Sequence, residues 1–166
     1  MKARRRKGLV MSIVGIFLIM SNLSLASAEE YDAMKGVDTV NVFFDMRDAN
    51  PMIADVHLAL ILDTYNEFVA MKKKPDFVVV FMGGAVKLIS SDRCQFSSEE
   101  RKYLDAIADT ISKMSKAGIR LEVCLAAVKY FNIDPDSIQS ELKQVGNGWI
   151  SEIGYQARGY QLVPVY

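Results

Sequence analysis

Cysteine and histidine are scarce in this chain, which has only Cys94, Cys124 and His57 among 166 residues. Two cysteines are too few to staple a small disulfide scaffold, and 51% apolar residues supply an ordinary core instead. They form no C-x-x-C pair, which disfavours a thiol-disulfide oxidoreductase. One histidine without a cysteine or carboxylate cluster beside it makes no zinc site, and no metal is expected. Neither G-x-G-x-x-G nor the Walker lysine-serine pair is present, and no cofactor is expected. Repeats, low-complexity tracts and internal linkers are missing as well, which leaves one domain. A single long apolar run occurs, at the N-terminus, so the rest of the chain is expected to be soluble and free of the membrane.

That run is part of a three-part segment. Lys2, Arg4, Arg5, Arg6 and Lys7 precede mostly apolar residues from Leu9 to Met20, and a polar stretch ends in Ala26-Ser27-Ala28. The pattern is that of a secretory signal peptide over residues 1–28, with cleavage expected before Glu29. An uncleaved anchor is the alternative, but the run is short of the roughly 20 residues that span a bilayer. The mature protein is therefore expected in the periplasm or outside the cell, as one domain over residues 29–166. Its 15 basic residues face 20 acidic ones, a net charge of −5 that argues against a nucleic-acid partner. Lys72-Lys73-Lys74, the one remaining basic run, suits a helix C-terminus.

Strand and helix patterns alternate along this domain. Val37 to Asp45 reads as a strand with Val40, Val42 and Phe44 on one face, and Pro51 opens a helix expected to run to about Lys73. That helix is apolar on more than one side, which predicts cover beyond its own sheet, such as a subunit interface. Lys74-Pro75-Asp76 reads as a break before Phe77 to Met82, a continuous apolar run suited to a central parallel strand. Ser97 and Glu100 make a capping box, Leu104, Ile107, Ile111 and Met114 form the buried stripe behind it, and Gly118 stops the helix. Ile119 to Cys124 is the next strand. A helical turn at Pro135, a short strand near Gln144-Val145, a helix from Trp149 to Arg158 and a strand from Gly159 to Val163 complete the chain. The alternation predicts an α/β three-layer sandwich with a mostly parallel sheet of about five strands.

Reactive groups of such sheets gather at the carboxyl ends of the strands. Cys124 ends a strand and leads directly into Leu125-Ala126-Ala127-Val128, so its sulfur meets the positive end of a helix, where a thiolate nucleophile is favoured. The competing reading is a small buried hydrophobe. Cys94 has three readings: a disulfide partner of Cys124, a thiol that resolves an adduct on Cys124, or an incidental loop thiol. His57 reads as a core or interface histidine rather than a base. Gly83 and Gly84 end a strand or wall a cysteine pocket, and Asp45, Arg47 and Asp48 lie at the same rim, as its border or as solvated loop.

Gly118-Ile119-Arg120-Leu121-Glu122-Val123-Cys124-Leu125-Ala126-Ala127 resembles the cysteine segment of the DsrE/DsrF/TusD family of sulfur-relay proteins. Phe77 to Leu88 and Ile153 to Tyr160 resemble two further segments of its DsrE-like branch, in the same order. The resemblance implies a flavodoxin-like (Rossmann-like) fold and a homotrimer or hexamer. It also implies that Cys124 accepts sulfane sulfur as a persulfide and passes it on, as a sulfur carrier or sulfurtransferase-like protein at most. The partner would be a donor or acceptor protein or a small sulfur compound. Two features depart from the branch: Met82 stands where relatives often carry histidine, and this chain is expected to be exported. Both favour the alternative, a non-catalytic oligomeric binding or scaffold protein on the same fold.

Overall fold

The computed structural model describes residues 31–166, so the signal peptide expected over residues 1–28 lies outside the described residues. Five strands form one sheet in the order β4-β3-β2-β1-β5, and every pair is parallel. They are β1 (Thr39–Met46), β2 (Lys74–Phe81), β3 (Arg120–Cys124), β4 (Lys143–Val145) and β5 (Gln161–Val165). Between them run α1 (Pro51–Ala70), α2 (Ser98–Ala117), the short α3 (Leu125–Tyr130) and α4 (Gly148–Ala157). This is the flavodoxin-like three-layer sandwich expected.

Local chemistry sets the helix ends. Asn50 accepts the N–H groups of Met52 and Ile53 at 3.0 and 3.3 Å, and Pro51 occupies the first helical position, where its missing N–H costs nothing. At α2 both halves of the capping box form: Ser97 Oγ accepts the Glu100 N–H at 3.2 Å, and Glu100 accepts the Ser97 N–H at 2.8 Å. Gly118 ends that helix at φ +89°, a left-handed conformation that suits glycine.

The two sheet faces are covered unequally. Val42, Phe44, Phe77, Val79, Leu121 and Val123 point to the face packed by α1 and α2 and form the main core with Leu58, Leu104, Ile107 and Ile111. Phe43, Val78, Val80, Met82, Cys124 and Tyr160 form a smaller cluster on the opposite face. Right-handed crossovers explain the division. Steps from β1 to β4 move one way along the sheet, whereas the return from β4 to β5 runs the other way and carries α4 to the second face. β2 is therefore buried on both sides, as its unbroken apolar run predicts.

Two local expectations are corrected. Lys74-Pro75-Asp76 is no break but the start of β2. Lys74 donates its N–H to Asp38 at 2.8 Å, so the alternation turns Pro75 to the other edge, where β3 pairs only from Val78 onward. α1 stops at Ala70 rather than near Lys73, because Lys72 turns left-handed at φ 58°. On α4, Trp149, Ile153 and Ala157 share a stripe that faces away from the sheet, with Trp149 60% and Ile153 66% exposed.

Both sheet edges are blunted. Val165 accepts the Arg47 N–H at 2.9 Å, so Pro164 faces the open side of β5 and offers no donor there. β4, at the other edge, is three residues long and begins with a lysine.

Candidate functional site

At the carboxyl ends, the connections leaving β3 and β4 part: α3 packs with the main core through Val128, and α4 crosses the other face. Crevices of open α/β sheets form at such switch points. A pocket of about 410 Å³ opens here. Met82 and Gly83 after β2, Cys124 and Ala127 at β3 and α3, and Asn147 and Trp149 after β4 contribute to it, together with Arg47 after β1.

Cys124 ends β3 and occupies the N-cap position of α3, where its side chain makes no capping hydrogen bond. The residue is only 6% exposed, yet it lines this open pocket. Gly148, the first residue of α4, donates its backbone N–H to Cys124 Sγ at 3.2 Å. That donor orients the sulfur and can stabilise negative charge on it. Gly148 is needed for closeness: a Cβ there would lie 2.4 Å from Met82 Sδ and 3.1 Å from Cys124 Cβ. Met82 thus fills the space beside the sulfur, at a position where it has no proton to transfer.

The rim residues sort unevenly. Gly83 lines the pocket, whereas Gly84 does not and packs against Ala49, whose Cβ would stand 2.6 Å from an added Cβ. Asp45 is buried behind the pocket rather than in its wall and accepts the Arg47 Nε–H at 2.6 Å. Arg47 reaches the wall in its place. Asp48 sits 3.4 Å from His57 Nδ1, and His57 belongs to a separate pocket between α1 and β5. Cys94 is exposed, Cys124 is buried, and both are free thiols. Cys94 is no part of the pocket wall. The Asp92 carboxylate, by hydrogen bonding and by its charge, pushes the Cys94 thiol above its ordinary range.

Asn147 and Gly148 escaped the sequence reading. Their signal is the run Gly146-Asn147-Gly148 between a strand and a helix, where glycine permits close approach and asparagine caps. Asn147 does cap α4, accepting the Trp149 N–H at 3.0 Å.

Two other polar groups on this face are structural. Asp76, Arg120 and Tyr160 interlock at the amino ends of the strands, with the Tyr160 hydroxyl donating to Asp76 at 2.7 Å. Glu122 is buried beneath α4, accepts the Tyr155 hydroxyl at 3.0 Å, and has no partner for Oε2 among the described residues. Burial first, then this carboxylate, raises the Tyr155 phenol above its usual range. Tyr155→Phe would strip the carboxylate of that donor. A loss of about 1–3 kcal/mol is expected from urea unfolding. The double variant Glu122→Gln/Tyr155→Phe, with no buried charge left unpaired, should recover part of it.

Among the described residues no group of three or more histidine, cysteine or acidic side chains is placed to hold a metal ion, and no helix is long and apolar enough to cross a membrane. These features define a flavodoxin-like α/β domain with a thiol in its carboxyl-end pocket. The chain belongs to the DsrE/DsrF-like family, whose model matches residues 54–165. Two solved structures share the fold. A protein of unknown function from Methanobacterium thermoautotrophicum is 16% identical, with a TM-score of 0.54, covering 76% of this chain and 97% of its own. A conserved protein of unknown function from Bacteroides thetaiotaomicron is 18% identical, with a TM-score of 0.52, covering 77% of this chain and 95% of its own. Comparison with curated proteins gives no match.

Proposed function

We propose that this protein is an exported sulfur carrier that takes sulfane sulfur onto Cys124 as a persulfide and hands it to an acceptor. The observation that carries the reading is Cys124 in the wall of an open pocket, with the Gly148 N–H directed at its sulfur. Membership of a family that resembles sulfur-relay proteins in its cysteine segment supports it. The chemistry is redox-neutral. The Cys124 thiolate attacks the outer sulfur of a donor persulfide R–S–SH, the donor S–S bond breaks, R–S⁻ leaves, and Cys124–S–SH forms. Attack by an acceptor thiolate on that outer sulfur reverses the same bond changes and restores Cys124. Incubation of the purified mature chain with polysulfide, followed by peptide mass mapping, should add about 32 Da, one sulfur atom, at Cys124. A free Cys124 that gains no sulfur would overturn the carrier role.

The carrier works as a homo-oligomer, trimer or hexamer, in this reading. Val56 and Leu60 on α1 are 54% and 56% exposed, and Ile150 and Ile153 on α4 are 70% and 66% exposed. Apolar helix faces of this kind, with both sheet edges blunted, favour association through helices. Light scattering should return a multiple of the chain mass, and Leu60→Glu or Ile153→Glu should lower it; a monomeric wild type at micromolar concentration contradicts the assembly. Oligomerisation with no sulfur uptake would instead favour the scaffold reading, toward which Met82 points.

A further inference from the structure

Among the described residues, Arg47 is the one charged residue in the wall of the Cys124 pocket. Asp45, which is buried, takes its Nε–H at 2.6 Å, and Glu152 lies 3.9 Å from one terminal nitrogen, too far for a hydrogen bond. Asp45 anchors the guanidinium through Nε, and Glu152 is a longer ion pair beside it. Its terminal nitrogens donate to no acceptor among the described residues. Their N–H groups are spaced to take two oxygens of one anionic group.

The rest of the wall has a different character. Tyr130, Phe131, Trp149, Met82 and Ala127 make it largely apolar, and Asn147 adds an amide. A strongly hydrated inorganic dianion loses much hydration in such a site, whereas an apolar body with one anionic end loses little. The volume of about 410 Å³ is ample for a group the size of a benzene ring.

We propose that Arg47 selects the sulfur donor, and that the donor is a small organic sulfane-sulfur anion: an apolar aryl or alkyl body carrying a thiosulfonate end. This rests on the reading of Cys124 as sulfur acceptor and names what that thiol receives. With a thiosulfonate, R–SO2–S⁻, the Cys124 thiolate attacks the sulfane sulfur and the bond to the sulfonyl sulfur breaks. The sulfinate R–SO2⁻ leaves with the electron pair, and Cys124–S–S⁻ remains. Arg47 holds the two sulfonyl oxygens, on which charge collects as the sulfinate departs.

Benzenethiosulfonate and thiosulfate are the probes, and the rate of sulfur addition at Cys124, read by mass in a Cys94→Ser background, is the measurement. Iodoacetamide, which is neutral, reports access to the same thiol. Wild type should take sulfur from benzenethiosulfonate at least about tenfold faster than from thiosulfate. Arg47→Gln should slow uptake from benzenethiosulfonate about tenfold or more while iodoacetamide labelling stays within about twofold, and Arg47→Lys should fall between. Because Arg47→Gln leaves the Asp45 carboxylate unpaired, Asp45→Asn/Arg47→Gln removes the pair together and should show the same loss. Wild-type rates in the double variant, or a wild type that prefers thiosulfate, would overturn this inference and leave the carrier reading in place. A wild type that reacts with iodoacetamide but takes sulfur from neither probe would remove both.

Discussion

Cys124→Ser should abolish sulfur uptake, and Cys94→Ser should leave it intact. The asymmetry follows from where the two thiols lie. Cys124 ends β3 inside the pocket, and its sulfur receives the Gly148 N–H at 3.2 Å. Cys94 stands in open solvent, outside that wall, beside a carboxylate that favours its protonated form. A serine hydroxyl at position 124 fits the volume and can accept the same N–H, so the fold should survive. It cannot form the S–S bond, so the gain of about 32 Da disappears altogether. Mass spectrometry of the two variants after polysulfide treatment reads this directly. An adduct that stays in Cys124→Ser and vanishes in Cys94→Ser would place the chemistry in the exposed loop.

The second large effect is expected at Gly148. An added Cβ would fall 2.4 Å from Sδ and 2.7 Å from Cγ of Met82, and 3.1 Å from Cβ of Cys124. Met82 is flexible in principle, but it is 2% exposed and wedged among Phe43, Val78, Val80 and Cys124. Either its side chain moves into the pocket or α4 lifts from the sheet. Overpacking of this kind costs about 1–3 kcal/mol, so Gly148→Ala should lower the urea midpoint accordingly. It should also slow labelling of Cys124, since both adjustments displace the N–H that orients the sulfur. Met82→Ala in the same chain makes room for the new methyl group and should restore part of the stability. A Gly148→Ala protein as stable and as reactive as wild type would show that the close approach has no role.

Much of this fold is legible along the chain, for identifiable reasons. The apolar run Phe77 to Phe81 reads as a doubly covered strand because each of its residues must be buried whichever face it points to. The α2 boundaries are equally direct, since Ser97, Glu100 and Gly118 act on backbone groups within a few residues of themselves. Cys124 is legible as a strand end that turns straight into a helix. Its immediate neighbour in space is not. Gly148 lies 24 residues further on, and only the pairing of β3 with β4 brings its N–H to the sulfur.

The same limit explains the exchange of Asp45 for Arg47. Two residues apart, they share a face, but Asp45 lies within β1 and is buried, whereas Arg47 stands just past the strand's end at the rim. Along α4, spacing groups Trp149 with Ile153, yet periodicity carries no sign: it marks a stripe without saying whether sheet or solvent receives it. In this chain the sheet takes Gly148 and Tyr155, and the stripe points outward. Lys74-Pro75-Asp76 is a further case, because a proline is compatible with a strand once the neighbouring strand is known to start later.

Native-state labelling of Cys124 tests the account at its root, which is that small molecules reach this sulfur without unfolding the protein. In a Cys94→Ser background, iodoacetamide should label Cys124 in the folded chain at a rate that does not track global stability, and it should do so at urea concentrations far below the unfolding midpoint. Labelling that occurs only as the whole domain unfolds would mean the pocket gives no passage to the thiol, and would contradict the account.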